Sequence, residues 1–266
     1  MVAFAALAIA ACGYAGAGAT ASDGLDLPAR YLAGETMQFS IHMGPIPVGE
    51  ASLTVSEATT NADGTQADLV VRSRISSAGL SDLLMEIDDE ATSVISNLTG
   101  LPRLTKTVAK YGKHRFASDA TFPVEGANNV SIAFTRPPNP PVHVRLAPPP
   151  GVMPHDMHTA MASLRPWSGV KGEARTLWVV GGRRLWKADV TWVGGGAIDT
   201  AFGARQAVRI DGTAQRYRGT GAPERRRPER RFSVWLSDDG DRVPLRVEAY
   251  TEIADVVVDL VDYYRP

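Results

Sequence analysis

The chain is short of cysteine, of net charge and of long apolar runs. Cys12 is the only cysteine among 266 residues, which excludes an internal disulfide, so an exported form would depend on its core alone for stability. The 28 Lys and Arg residues nearly balance the 29 Asp and Glu residues, which gives no general attraction to nucleic acid or to an anionic membrane. Beyond the N-terminus, no apolar run approaches the length of a membrane-spanning helix.

Motifs of nucleophilic catalysis and of phosphate binding are also lacking. The sequence has no G-x-S-x-G elbow, and its glycine run 194–196 lacks the lysine and the serine or threonine of a phosphate-binding loop. We therefore expect that the protein is not an enzyme, that it needs no cofactor and that nucleic acid is not its partner.

Two features near the N-terminus predict export. Residues 2–11 form an apolar run with the length of a signal-peptide core, too short to cross a bilayer. Cys12 closes this run, and Ile9 to Cys12 has the pattern of a lipobox, in which the cysteine is lipidated and becomes the mature N-terminus. The alternative is cleavage after the A-x-A site at 19–21, which makes residues 1–21 the signal peptide. The sequence leaves both alternatives open.

Alternating apolar residues predict strands along most of the chain from residue 22 onward. The segment 37–43 alternates strictly, which is the period of a half-buried strand. The clearest hairpin spans 175–193, and we expect Gly181 and Gly182 to form its two-residue turn. Further strands are predicted at 51–55, 69–75, 104–110, 115–122, 130–135, 232–236, 243–251 and 255–263.

Only two segments have the apolar spacing of a helix. The second of them follows Asp156, a suitable N-cap, and ends before Pro166. The apolar faces are Leu80, Leu83, Leu84 and Ile87 in the first segment, and Met157, Ala160, Met161 and Leu164 in the second. The sequence therefore predicts a mainly β fold, an antiparallel curved sheet or an open β-barrel with two short helices.

Prolines are concentrated in the middle of the chain, between residues 136 and 154. Such a segment is stiff and cannot form a central strand, so it either joins two domains or leaves the sheet as a surface excursion. We favour the excursion, because neither half alone has a complete set of elements. The prediction is one all-β domain over residues 22–266, with the proline-rich excursion 136–154 between its halves.

Three segments carry a recognisable pattern in a fixed order along the chain. The first is 34–39 followed by 48–53, similar to GE-x-L-x-Y … G-x-A-x-L. The second is 155–160 with Leu164-Arg165, similar to D-x-x-S … L-R. The third is 234–239 with 243–248, similar to W-x-S-x-D … P-x-x-x-E. Together they resemble a family of exported bacterial proteins known only as domain of unknown function 3108.

This resemblance carries expectations about location and shape but none about activity. It implies an exported, mostly antiparallel β protein of the Gram-negative envelope, in the periplasm or associated with the outer membrane. Its shape is expected to be similar to the open half-barrels of lipoprotein carriers, by analogy of fold. Phe39 stands where the pattern has Tyr, and Thr159 where it has Ser, which bears only on any role for those hydroxyls.

Histidines and charged clusters offer weak candidate sites. His155 and His158 are spaced i, i+3 and would share a face of the second helix, where they could hold a metal. No third ligand is nominated, so two surface histidines at a helix start are the favoured interpretation and no metal is expected. Residues 237–241 are interpreted as a turn rather than a calcium loop, and the basic run 224–231 as a solvated loop.

Tryptophans in the C-terminal half are the candidate ligand-binding residues. Inward-facing aromatic rings could line a cavity, although such rings more often fill the core. The leading hypothesis is a non-enzymatic binder or carrier of an apolar ligand such as a lipid. The alternative is a structural or assembly factor of the envelope that engages a protein partner through an exposed sheet edge. The candidate tryptophans are Trp178, Trp186, Trp192 and Trp235.

Overall fold

A computed structural model describes seven stretches of the chain: 31–57, 68–79, 86–123, 129–218, 222–224, 228–251 and 254–266. The predicted signal peptide with Cys12 lies outside the described residues, and so do residues 80–85 of the first predicted helix. Ile87, which was expected on that helix, is the first residue of a strand.

Fourteen strands and one helix make up the described part of the chain. The helix, α1, spans Met157–Leu164, and no described helix is long and apolar enough to cross a bilayer. The strands are β1 (Thr36–Met43), β2 (Ile46–Glu57), β3 (Leu69–Ser77), β4 (Ile87–Ile95), β5 (Pro102–Tyr111), β6 (His114–Thr121), β7 (Val130–Thr135), β8 (Val142–Leu146), β9 (Ala174–Gly181), β10 (Arg184–Thr200), β11 (Gly203–Tyr217), β12 (Arg230–Ser237), β13 (Pro244–Ala249) and β14 (Val256–Tyr264).

All fourteen strands belong to one antiparallel sheet. Its order is β8-β7-β6-β5-β4-β3-β2-β1-β14-β13-β12-β11-β10-β9, so almost every strand pairs with its neighbour in sequence. The exception is β1, which pairs with β14 and joins the two halves of the chain in the middle of the sheet. Strands β8 and β9 form the two ends and do not pair with each other, so the sheet is not closed by hydrogen bonds.

Helix α1 packs against one face of this sheet, called here the inner face. Ala160 and Leu164 of α1 belong to an apolar cluster with Ile210 of β11 and Leu236 of β12. Ala162, elsewhere on the helix, belongs to a second cluster formed with β2, β3 and β4. The helix therefore contacts both halves of the sheet, which must curve around it.

The two ends of the sheet overlap instead of joining. Trp178 and Leu185, on the outer face of β9 and β10, share a cluster with Ile132 of β7 and Leu146 of β8. The free edge of β9 is occupied by His155, whose backbone N–H donates to the carbonyl oxygen of Trp178 at 2.7 Å. The sheet is thus a curled, open, barrel-like structure, and the predicted fold class is confirmed.

The best-defined hairpin is confirmed, but its turn lies one residue later than predicted. Gly181 ends β9 and pairs with Arg184, so Gly182 and Arg183 are the two turn residues. Gly182 has a φ of 57°, a conformation that residues with a side chain rarely adopt. The alternation of apolar residues located the strands correctly, whereas two adjacent glycines left the turn ambiguous by one position.

The middle of the chain confirms one prediction and corrects another. Helix α1 begins after its N-cap Asp156, as the sequence predicts. The proline-rich segment 136–154, in contrast, is not wholly a surface excursion, because it contains β8. Prolines are tolerated beside β8 because it is an edge strand, whose outer side needs no N–H donors.

Candidate functional site

A chain of hydrogen bonds joins the first turn of α1 to the inner face of β3, β4 and β5. His158 of α1 contacts Ser93 Oγ through Nδ1 at 2.6 Å, and Ser73 Oγ through Nε2 at 2.8 Å. Ser93 Oγ also donates to Oδ2 of Asp156, and Thr105 Oγ1 donates to the same oxygen at 2.5 Å. Asp156 is 1% exposed, so its carboxylate is buried, and hydrogen-bond donors surround it.

The second oxygen of Asp156 caps the helix. Its Oδ1 accepts the backbone N–H of Thr159 at 2.8 Å and the Thr159 hydroxyl at 2.9 Å. Burial by itself works against ionisation, but the hydrogen bonds from Ser93, Thr105 and Thr159, together with attraction to His158 when its imidazole is protonated, outweigh burial and lower the pKa of Asp156. The threonine hydroxyl at the position where the family pattern has Ser therefore serves as part of the cap.

The direction of each donor in this chain follows from the charge on Asp156. An ionised carboxylate only accepts, so Ser93 donates to it and uses its own oxygen to accept Nδ1–H of His158. Nε2 is then the bare nitrogen and accepts the hydroxyl of Ser73. Burial lowers the pKa of His158, which keeps its imidazole neutral near pH 7.

A serine that donates to a neutral imidazole resembles an activated nucleophile. Ser73, however, lies on β3, which is paired on both sides with β2 and β4. Its backbone amides belong to those ladders, so the strand offers no amide pair for the oxyanion that acyl transfer requires. The chain of hydrogen bonds instead fixes α1 against the sheet.

A buried ion pair fixes the other end of α1. Arg165, the C-cap, donates to Glu35 through both terminal nitrogens, at 3.0 and 2.8 Å, and the two residues are 2% and 0% exposed. Arg165 also donates to the backbone carbonyl of Asp241, and the hydroxyl of Tyr263 donates to Glu35 at 3.0 Å. Four distant parts of the chain thus meet at one charge pair.

The inner face also has a part to which α1 contributes no residue, called here the uncovered patch. It is an apolar cluster at the ends of the central strands, and its buried centre consists of Ile41, Ala249 and Val256. Several inner-face side chains around this centre are only partly buried. They include Met43, Ala51, Ile75 and Val258.

Asp89 of β4 is the buried carboxyl group next to the uncovered patch. It is 3% exposed and pairs across the ladder with Ile75 of the patch, so both side chains lie on the inner face. The hydroxyl of Tyr111 donates to its Oδ2 at 2.8 Å, whereas Oδ1 has no hydrogen-bond partner among the described residues. Burial raises the pKa of Asp89 to about 6, although the bond from Tyr111 opposes this.

Among the described residues, a small cavity lies beneath α1. A cavity of about 20 Å³ lies between α1 and the strands, lined by Met157, Met161, Phe232 and Val234 among others. This is enough for one water molecule and far below the several hundred cubic ångströms of a typical ligand pocket. This cavity is therefore too small for a ligand of the usual size unless α1 moves.

The four candidate tryptophans do not surround one cavity. Trp192 and Trp186 are on the inner face near α1, where Trp192 packs edge-on against Trp167 with ring centroids 5.5 Å apart. Trp178 is on the outer face, covered by the overlapping β6 to β8 end of the sheet. Trp235 belongs to a separate cluster with Val243 and Leu245. A joint ligand-binding role for the four residues is not supported by this arrangement.

The two candidate metal-binding histidines are not on one helix face. Helix α1 begins at Met157, so His155 precedes it and bridges to Val179 of β9, while His158 is held by two serines. Burial lowers the pKa of His155 to about 4, and its Nδ1 has no hydrogen-bond partner among the described residues. The described residues contain no group of three or more His, Cys, Asp or Glu that could hold a metal.

The interpretation of 237–241 as a turn agrees with its hydrogen bonds. Asp239 accepts the hydroxyl of Ser237 at 2.7 Å and the backbone N–H groups of Asp241 and Arg242. Its carboxylate is therefore used within the turn. Of the basic run 224–231, residues 225–227 lie outside the described part of the chain, and Glu224 pairs with Arg216.

Sequence analysis missed Asp89, Ser73 and Ser93. Asp89 lies within an acidic run, 88–90, where no strand was predicted. Alternation with a period of two could have identified these positions in β4. Every second residue of a strand points to the same face, and the buried face here includes Ile87, Asp89, Ser93 and Ile95.

Comparisons with known proteins give a fold but no activity. A beta-barrel-like protein of domain of unknown function DUF1849 from Brucella abortus is similar with a TM-score of 0.58 and 13% sequence identity, over 88% of this chain and 98% of that one. At this identity the likeness concerns the fold alone. No curated protein matches this chain.

Two further solved structures align over most of the chain at lower similarity. One is a Bacteroides fragilis protein described as exported and of YmcC-like fold, with a TM-score of 0.36, 8% identity and coverage of 88% and 97%. The other is a Parabacteroides distasonis protein described as a lipoprotein, with a TM-score of 0.34, 8% identity and coverage of 89% and 97%.

A family model matches residues 38–261, a range that includes both ends of the sheet, helix α1 and the uncovered patch. Most of the pattern residues noted in the sequence, among them Asp156, Thr159, Arg165 and Ser237, fall inside this range and form the cap, the ion pair and the turn described above. The chain belongs to the family of proteins of unknown function DUF3108.

Proposed function

We propose that this protein binds an apolar ligand, such as a lipid acyl chain, on the uncovered patch of its curved sheet, in the bacterial cell envelope. The observation that carries the proposal is the group of inner-face side chains, Met43, Ala51 and Ile75, that are only partly buried around the centre of the patch. Partly exposed apolar groups gathered on a concave face are typical of a ligand site.

The location in the envelope is supported by the N-terminal sequence. The apolar run 2–11 with its lipobox or A-x-A site is the pattern of an exported chain. In the envelope, a protein of this shape meets lipids, and its concave face would shield an acyl chain from water. Binding is non-enzymatic in this proposal, because Ser73 lacks oxyanion donors on its own strand.

A partner docking at a sheet edge is the second candidate. The edge strand β8 has only five residues, with Val142 half exposed, and it lies between two groups of prolines. Short edges flanked by proline are a device against strand addition. The edge of β9 is occupied in part by His155. We therefore rank this candidate below ligand binding.

Native mass spectrometry of the full-length chain, expressed in a Gram-negative host and purified from the envelope fraction without detergent, tests the proposal. We expect a mass excess that dissociates into lipid or acyl species. Met43→Glu, which puts a charge on the uncovered patch, should abolish the excess because a charged group opposes apolar burial. Val108→Glu is the matched control, since Val108 is 59% exposed and its alternation in β5 places it on the outer face.

The possible outcomes distinguish the two candidate functions and test where the ligand binds. A bare mass for the unmodified protein would contradict tight lipid carriage and favour the protein-partner alternative. Equal loss of lipid in both variants, with circular dichroism spectra unchanged, would show that the ligand is not held on the uncovered patch.

A further inference from the structure

Asp89 has a buried side-chain oxygen that lacks a hydrogen-bond partner among the described residues. Among the described residues, only two buried side-chain polar atoms have no hydrogen-bond partner, Oδ1 of Asp89 and Nδ1 of His155. A buried carboxyl oxygen without a donor costs free energy that the chain could avoid with an apolar residue. Such an atom beside a ligand surface indicates that the missing donor comes from the ligand.

The ladder places Asp89 at the border of the uncovered patch. Ile75 of the patch is its direct cross-strand partner on β3. Ser73 pairs with Ala91, the next inner-face residue of β4, and is therefore the diagonal neighbour of Asp89, with side chains roughly 7 to 8 Å apart at their bases. A ligand with its apolar chain on the patch would have its polar end between Asp89 and Ser73.

Both polar groups at this position are acceptors toward a ligand. Oδ1 of Asp89 is unpartnered, and the hydroxyl proton of Ser73 is already donated to Nε2 of His158, which leaves the lone pairs of Ser73 Oγ. A head group that fits between two acceptors must supply donors. An ammonium supplies three donors and a positive charge, whereas a carboxylate supplies neither.

We propose that Asp89 recognises the polar end of the bound ligand, and that this end is a hydrogen-bond donor, preferentially a primary amine on an apolar chain. This inference rests on the proposed function, since the chain of the ligand occupies the uncovered patch. The pairing is between opposite charges in a poorly hydrated place, where attraction is stronger than in water. The pKa of Asp89, about 6, leaves its carboxylate mostly ionised near pH 7.

Calorimetric titration of the full-length protein with dodecylamine, dodecanol and dodecanoate, each below its micelle concentration near pH 7, tests this inference. The three probes share one chain and differ only in the head group. We expect dodecylamine to bind at least about tenfold more tightly than dodecanoate, because only the amine adds a charge-assisted bond to Asp89.

Two substitutions on β4 form a matched pair for this titration. Asp89→Asn should lower the affinity for dodecylamine by about tenfold and leave dodecanol unchanged, because the charge is lost and the volume is kept. Asp88→Asn removes the same charge from the adjacent residue, which faces outward and pairs with Arg74 at 3.0 Å, and should change the affinity for dodecylamine far less than Asp89→Asn does. The circular dichroism of both variants is compared with that of the unmodified protein.

The failures of the two proposals are distinguishable. If the three probes bind equally and Asp89→Asn changes none of them, Asp89 is not the recognition residue, while ligand binding at the patch stands. If none of the probes binds, the proposed function fails together with this inference. If Asp88→Asn weakens dodecylamine as much as Asp89→Asn does, the effect is one of general surface charge and the inference is wrong.

Discussion

Two aspartates lie on or against the same inner face, equally buried, and their ionisation is shifted in opposite directions. Asp156 is 1% exposed and Asp89 is 3% exposed, yet the pKa of Asp156 is lowered and that of Asp89 is raised to about 6. The two carboxylates differ in the number of hydrogen bonds that they accept. Both oxygens of Asp156 accept hydrogen bonds, whereas Asp89 accepts one bond and has one bare oxygen.

This contrast extends to the two parts of the inner face. The part covered by α1 has satisfied polar groups at both ends of the helix and close packing between them. The uncovered patch has partly exposed apolar side chains and the bare oxygen of Asp89 beside them. A fold gains stability from the first kind of surface and gains a place for a ligand from the second.

The largest effect is expected from the buried ion pair of the covered part. Arg165→Met removes the partner of Glu35 and leaves an uncompensated buried charge, so the free energy of unfolding should fall by about 3 to 5 kcal/mol. Urea denaturation at neutral pH measures the change. The double variant Glu35→Gln with Arg165→Met should recover a large part of the loss, because no charge is then left buried.

The control for this prediction is a pair at the surface. Arg74 bonds Asp88 at 3.0 Å, but both side chains are well exposed, and Arg74→Met should leave the midpoint of denaturation unchanged within error. A loss as large as that of Arg165→Met would contradict the distinction between the two pairs. Failure of the double variant to recover would show that Arg165 acts through its packing and its bond to Asp241.

The next effect concerns the pH dependence of stability. Because the pKa of Asp89 is raised from 3.8 to about 6, its protonated form favours the folded state below pH 4, and that contribution is lost as pH rises through 6. The unmodified protein should therefore lose roughly 2 to 3 kcal/mol relative to Asp89→Asn between pH 4 and pH 7. Asp156 behaves oppositely. Because its pKa is lowered, its ionised form stabilises the folded state, and this stabilisation is lost only as the pH falls below about 4.

Urea titrations of the two proteins across this pH range measure the difference directly. The other titrating groups are common to both proteins, so their contributions cancel in the comparison. The exception is the interaction of Asp88 with Asp89, because the charge of Asp88 helps to raise the pKa of Asp89 and this effect is absent from Asp89→Asn. Parallel pH profiles would mean that Asp89 ionises normally in the folded protein. Its bare oxygen would then have an unseen donor, and the contrast with Asp156 would disappear.

Most of the strand pattern and the helix cap could be predicted from the sequence, because they depend on local periodicity. The alternation in 37–43 and the spacing from Asp156 to Leu164 determine the buried face of each element without knowledge of its neighbours. The strand β8 was missed because prolines on both sides are a signal against strands, and only its place at the edge of the sheet makes them acceptable.

The candidate site depends on contacts between distant residues, which no local pattern contains. Glu35 meets Arg165 across 130 positions, and Ser73 meets His158 across 85. The resemblance to the family pattern marked Glu35, Asp156 and Arg165, and the structure shows why they occur together. It did not mark Asp89 or Ser73, whose role follows from the register of β3 with β4. The tryptophans were noticed for their size, and the register of the β9–β10 hairpin, in which Trp178 pairs with Lys187, puts Trp178 on the opposite face from Trp186 and Trp192.

The smallest effect tests how closely the covered part is packed. Gly212 of β11 lies directly opposite Phe232 of β12, and a Cβ at this glycine would approach the phenyl ring to 2.2 Å. Gly212→Ala should cost about 1 to 3 kcal/mol by overpacking, whereas Gly196→Ala, where a Cβ would meet no atom within 4 Å, should be neutral. Thermal denaturation of both variants measures the difference.

Adding Phe232→Leu to Gly212→Ala should recover part of the loss, because the smaller side chain makes room for the methyl group. If Gly212→Ala is neutral, the ring can move aside, and the covered part of the inner face is loose enough to admit a ligand beside α1.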